Sequence, residues 1–228
     1  MRENREDNVY RVPLPESSRP LLASPTMWVK GAAIRPVPRY AVVGGATLEQ
    51  VESGLADDSE RAREELDEAF ARFESTQPHL ADAISSLLSK PLDETALALG
   101  YFLSIAIWLS FERTFGEARL REVSPDALRA TDEAIKLEEE LRAAHGDEPL
   151  DLDDVVSIEQ PNVLAFVHEH VDAALDPSAR AAQKGQRHEV DVDDVHAVYR
   201  AIVLLTLCLS HAVVPVDGAS RGSAELIA

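Results

Sequence analysis

Two uncharged runs, Thr95 to Phe111 and Ala201 to Val216, the second interrupted only by His211, most constrain what this chain can fold into. A bilayer span takes about 20 apolar residues, usually with Lys or Arg anchors at its ends. Both runs fall short of that, and each follows acidic residues, Asp93-Glu94 and Asp193-Asp194. A helix that is apolar on all sides and does not cross a membrane must be surrounded by other helices. The expectation is therefore an all-α bundle with two long apolar central helices, no membrane partner and a cytoplasmic location. With 228 residues, 45% of them apolar, the chain can bury such a core without disulfides or metals.

Helix start and stop signals divide the rest. Thr47 with Gln50 reads as a capping box, Asp58 as the cap of a charged helix bearing Leu66, Ala69, Phe70 and Phe73 on one face, and Gln77-Pro78 as the start of a helix to about Ser89. Asp93 caps the first apolar helix, which stops near Gly116. Ser124-Pro125 opens a charged helix ending at His145-Gly146, Gln160-Pro161 opens another, and Asp191 or Asp193 caps the last.

The order repeats. Asp67 to Phe70 lies over Asp132 to Ile135, Gln77-Pro78 over Gln160-Pro161, Asp93-Glu94 over Asp193-Asp194, and the run Phe102 to Ser110 over Ile202 to Ser210. The predicted body is a duplicated three-helix unit, 46–118 and 119–216, packed as one domain around its two apolar helices, with 217–228 as a flexible tail. Before it, residues 1–45 hold Pro13, Pro15, Pro20, Pro25, Pro36 and Pro38, which exclude helix and predict an extended arm. That arm also carries Met27, Trp28, Ile34 and Tyr40, apolar residues a solvated linker would not need. They are the candidate partner-binding residues, packing either on this chain or on another.

Charge narrows the function. The chain carries a net charge of -19, which repels a phosphate backbone and argues against nucleic acid as a partner. The first 45 residues leave +3 and the remainder -22, so a slightly basic arm precedes a very acidic body. Cys208, the one cysteine, lies inside the second apolar run and reads as a small buried hydrophobe in a reducing compartment. The preference for Arg over Lys, with abundant Ala, is a composition seen in GC-rich bacterial genomes. The charged N-terminus lacks the apolar stretch of a secretory signal, which predicts an unprocessed chain.

Motifs for chemistry are weak. His168 and His170 are two residues apart on a predicted helix, so their side chains diverge by about 200° and cannot share a metal. Asp193 and His196 have the i, i+3 spacing of di-iron bundles, but the first repeat has Asp93 and Ala96 there, half the ligands of a paired site. These four are the weakest tier of metal candidates, and no cofactor is expected. Neither Asp-x-Asp-Asp string continues as a calcium loop, and no phosphate loop or Gly-x-Ser-x-Gly is present.

Three functional readings follow. The first is a non-enzymatic protein-protein interaction or scaffold protein with a rigid acidic body and an N-terminal arm that grips a protein partner or a second copy. The second is an acidic inhibitor or immunity protein that neutralises a basic partner. The third is a helical-bundle enzyme or small-ligand sensor with a pocket between the central helices.

Overall fold

Among the described residues the two apolar runs form the most extensive helix-helix contact. A computed structural model describes residues 33–55, 60–89, 91–145, 160–175 and 192–216. Among them are seven α-helices and no β-strand: α1 (Gly45–Leu55), α2 (Glu60–Thr76), α3 (Pro78–Leu88), α4 (Glu94–Arg119), α5 (Pro125–His145), α6 (Pro161–Leu175) and α7 (Val192–Ala212). Helices α4 and α7 lie side by side and run parallel. At their starts the Asp93 amide donates to the Asp194 carboxylate (3.0 Å), and at their ends Leu120 and Val213 form an antiparallel bridge. Residues 103–111 of α4 and 201–210 of α7 are buried at every position, as all-round apolar helices require. By length and composition both helices could cross a membrane; within the fold 61% of the most apolar window of each is buried.

The other helices wrap this pair. Helices α1, α2 and α6 pack on α4, while α3 and α5 pack on α7, and α1 also meets α6. Three of the four buried hydroxyls at the centre find a backbone acceptor, and that of Thr206 has no hydrogen-bond partner among the described residues. The hydroxyls of Ser104, Ser110 and Ser210 each donate to the carbonyl four residues back at 2.7 Å, which removes the cost of burying them. Gly100 marks the closest approach: a Cβ there would come within 2.7 Å of Leu88 Cδ2 and 3.4 Å of Val198 Cγ2, so α3, α4 and α7 meet at a position that has no room for a side chain.

Two helix starts are capped as the sequence signals predict, while Asp58 and Asp191, expected caps of α2 and α7, lie outside the described residues. Asp93 caps α4 by accepting from the Thr95 and Ala96 amides at 2.7 and 2.8 Å. The Ser124 hydroxyl accepts from the Ala127 amide at the start of α5. Gly116 breaks α4 with φ 65°, and the chain makes one further helical turn to Arg119. Helix α1 starts at Gly45, two residues before the expected capping box, because the Gly44 carbonyl already accepts from the Thr47 and Leu48 amides.

Candidate interaction surface

Residues 33–43, the described end of the Pro-rich arm, lie on their own helices. Arg39–Ala41 form a 3-10 turn, closed by the bond from the Ala41 amide to the Pro38 carbonyl, with extended backbone at Pro38 before it and at Val42 after it; Ala41 and Val43 are fully buried, while Tyr40 and Val42 are 43% and 37% exposed. Val37 is buried and Ile34 packs against the core. The backbone is fastened at each step. The Ala33 amide donates to Glu138 (3.3 Å), the His211 ring nitrogen Nε2 bonds the Pro36 carbonyl (3.1 Å), and the Arg119 guanidinium donates to the Tyr40 carbonyl (3.3 Å).

The tightest fastening is Gln160, buried at the start of α6. Its Nε2 donates to the Ala41 carbonyl (2.7 Å) and the Ser210 hydroxyl (3.0 Å), and its Oε1 accepts from the Val43 amide (3.0 Å). The side-chain amide thus pairs with the chain as a neighbouring strand would. Asn162 adds a bond to the Val43 carbonyl at 2.8 Å. Gln77, buried at the start of α3, does the same to the segment leading into α5: it donates to the Arg121 carbonyl (3.0 Å) and accepts from the Val123 amide (2.8 Å). Both glutamines precede a proline at N1, and sequence reasoning sees them only as helix openings. Their partners lie 44 to 46 and 117 to 119 residues away, beyond any local pattern.

Of the candidate partner-binding residues, Tyr40 is exposed and Ile34 is half-buried against the core, while Met27 and Trp28 lie outside the described residues. Charges of both signs lie on Tyr40's segment and on the segment that meets it through Arg119. Arg35, Arg39 and Arg121 are exposed, and Arg119 holds both the Tyr40 and Val214 carbonyls. Glu117 and Glu122 are exposed on the same stretch of chain as Arg119 and Arg121. Val216 adds an exposed apolar side chain beyond Val214.

The histidine candidates go to different neighbours, as their spacing requires. His170 lies between the rings of Phe102 and Phe166, at 5.0 and 4.3 Å, with Nε2 at 3.3 Å from Glu52 and Nδ1 at 2.8 Å from the Phe166 carbonyl. His168 faces the Tyr199 ring at 6.4 Å, and His196 is exposed on α7. The Asp193 side chain lies outside the described residues. Among the described residues no group of three or more His, Cys, Asp or Glu could hold a metal ion.

Other charged groups tie helices together. Arg200 on α7 bonds Asp132 (2.9 Å) and Glu139 of α5. Partial burial pushes the Asp132 carboxyl up, but its bonds to Lys136 and Arg200 outweigh that and hold it below the usual carboxylate value. Glu138 and Arg142 form an ion pair that is 0% and 1% exposed. Burial pushes the Cys208 thiol up to about 11, against a weaker opposing bond from Thr131, so the thiolate is disfavoured.

The fold and these contacts define an all-α protein with residues 33–43 clasped along one end of its bundle. Comparison with protein-family models, curated proteins and solved structures finds no match to the chain.

Proposed function

We propose that this chain is a non-enzymatic protein-protein interaction protein, in which an acidic helical body holds the end of its arm in a fixed shape for a partner to grip. The observation that carries the reading is the clasped segment itself. Gln160, Asn162 and Arg119 hold its backbone while Tyr40 and Val42 face solvent. A segment already ordered loses little conformational entropy on binding, and a tyrosine on it supplies apolar area with a polar handle.

We also propose that the bundle is a duplicated three-helix unit, with the correspondence set by the two glutamine clasps. On that reading α1, α3 and α4 answer to α5, α6 and α7, and α2 is extra to the first unit, whereas the sequence match had aligned α2 with α5. Three contacts support it in both directions: α1 on α4 as α5 on α7, α3 on α7 as α6 on α4, and α1 on α6 as α5 on α3. Each unit's second helix then clasps the lead-in of the other unit's first helix.

The test of the interaction reading compares affinity captures from the native lysate by the wild-type chain and by Tyr40→Ser/Val42→Ser, quantified by mass spectrometry. A protein depleted at least about tenfold by the double variant, with the helical circular dichroism unchanged, supports the reading. Identical captures by both forms overturn it.

A further inference from the structure

We infer that residues 27–30 of the arm dock on the outer face of α5 of their own chain, with Met27, Trp28 and Val29 over Leu137 and Lys30 beside Glu133 and Glu140. This goes beyond the interaction reading and does not depend on what grips Tyr40.

The chain comes to α5 at Ala33. The Ala33 amide donates to Glu138 Oε2 (3.3 Å), while the other oxygen of that carboxylate accepts from Arg142 Nε (3.4 Å). Leu137, the residue before Glu138, is 49% exposed. On a helix the surface neighbours of a residue stand three and four positions away. For Leu137 these are Glu133 and Ala134 on one side along the axis and Glu140 and Leu141 on the other. At about 100° per residue, Ala134 and Leu141 fall between Leu137 and Glu138, and Glu133 and Glu140 fall beyond Leu137. Ala134 and Leu141 are half-buried; Glu133 and Glu140 are exposed. The face is therefore apolar toward the point where the arm arrives and acidic along its far border.

The charges select a basic occupant. Four carboxylates of α5 already hold a cation: Asp126 has Arg129, Asp132 has Lys136 and Arg200, Glu138 has Arg142, and Glu139 has Arg200. Glu133 and Glu140 have none among the described residues. The body of a second copy is strongly acidic and is repelled here. The arm is the basic part of the chain, with no Asp or Glu from 17 to 48 and with Lys30 three residues before Ala33.

Length selects the residues. Met27 to Val29 lie four to six positions before Ala33, about 13–20 Å of extended chain, and Ala134 to Leu141 span about 10 Å of helix. They are the first large apolar side chains met on leaving Ala33 toward the N-terminus, and Trp28 brings the largest apolar area among them. A tether this short gives an effective concentration on the order of millimolar, which favours the chain's own arm over that of another copy.

Fluorine NMR of the full chain labelled with fluorotryptophan tests this. The chain has two tryptophans; Trp28→Phe assigns the Trp28 resonance, and buried Trp108 is the internal reference. The expected result is a Trp28 solvent isotope shift well below that of a synthetic peptide of residues 17–32, the same at every protein concentration. Leu137→Glu and the double reversal Glu133→Lys/Glu140→Lys each move it toward the peptide's value. Leu175→Glu, at a leucine 38% exposed on α6, leaves it unchanged, and circular dichroism of each variant matches the wild type. A Trp28 as exposed as in the peptide overturns the inference. So does a protected Trp28 that ignores Leu137→Glu, which puts the arm elsewhere, or protection lost on dilution, which makes the occupant a second copy's arm.

Discussion

Replacing Gln160 by leucine keeps most of the side-chain volume and deletes the amide. In the folded state the Val43 N–H and the Ala41 C=O, both buried, lose their partner. Leaving a buried backbone group unpaired costs about 1–3 kcal/mol, so the two together cost about 2–6 kcal/mol. The Ser210 hydroxyl adds nothing, because it still donates to the Thr206 carbonyl. Leucine recovers a little through its own burial, which puts the net near 3 kcal/mol, a large share of the roughly 5–15 kcal/mol by which a domain of this kind is stable. With a urea m-value of about 2 kcal/mol per M, the midpoint falls by about 1.5 M. The assay is urea unfolding followed by the fluorescence of Trp108, which is buried against Phe73. Gln77→Leu should lose less, since Arg121 is exposed and water can reach its carbonyl once the amide is gone. Gln50→Leu, on the exposed face of α1, serves as the control and should shift little. A Gln160→Leu midpoint indistinguishable from that of Gln50→Leu would refute the reasoning.

Three further outcomes follow from the packing. Gly100→Ala drives a methyl into Leu88 at 2.7 Å, and the overpacking, about 1–3 kcal/mol, exceeds the helix gain of about 1 kcal/mol, so thermal unfolding moves down; Leu88→Val in the same background restores part of the loss. Cys208, buried with its thiol pushed up to about 11, resists thiol reagents at pH 8 in the native protein and reacts at once in denaturant; rapid native labelling would show that α5 and α7 open locally. The Asp132 carboxyl lies below its ordinary value of 3.8 in the folded state, so its contribution is present above that pH and is lost as pH falls through the folded-state value. Asp132→Asn is therefore less stable than the wild type at neutral pH, and the two converge in acid; a constant difference across the titration would contradict the assignment to Arg200 and Lys136.

Much of the helical layout was legible because its signals are local. Asp93 and Ser124 cap through amides two or three residues away, and the two apolar runs announce burial on all sides without reference to anything else. The clasps were not legible, because a glutamine before a proline looks alike whether it faces water or grips a segment 44 to 119 residues distant. The Glu138–Arg142 pair was hidden for a similar reason: at i, i+4 on a charged helix it has the spacing of a surface pair, yet it is closed off in the interior. The arm was half legible. Its apolar residues signalled packing, but the alternation that buries Ala41 and Val43 and exposes Tyr40 and Val42 depends on where Gln160 stands.

Amide hydrogen exchange at residues 40–43, resolved by NMR, tests the central claim most directly, because it asks whether the segment is both held and open. The expected result is that the Val43 amide, bonded to Gln160, exchanges slowly in the free protein, that the unbonded Val42 amide exchanges faster, and that residues 40–43 gain protection when a partner binds. Fast exchange at both would mean that the segment is not clasped, and unchanged exchange in the complex would mean that the partner does not grip it.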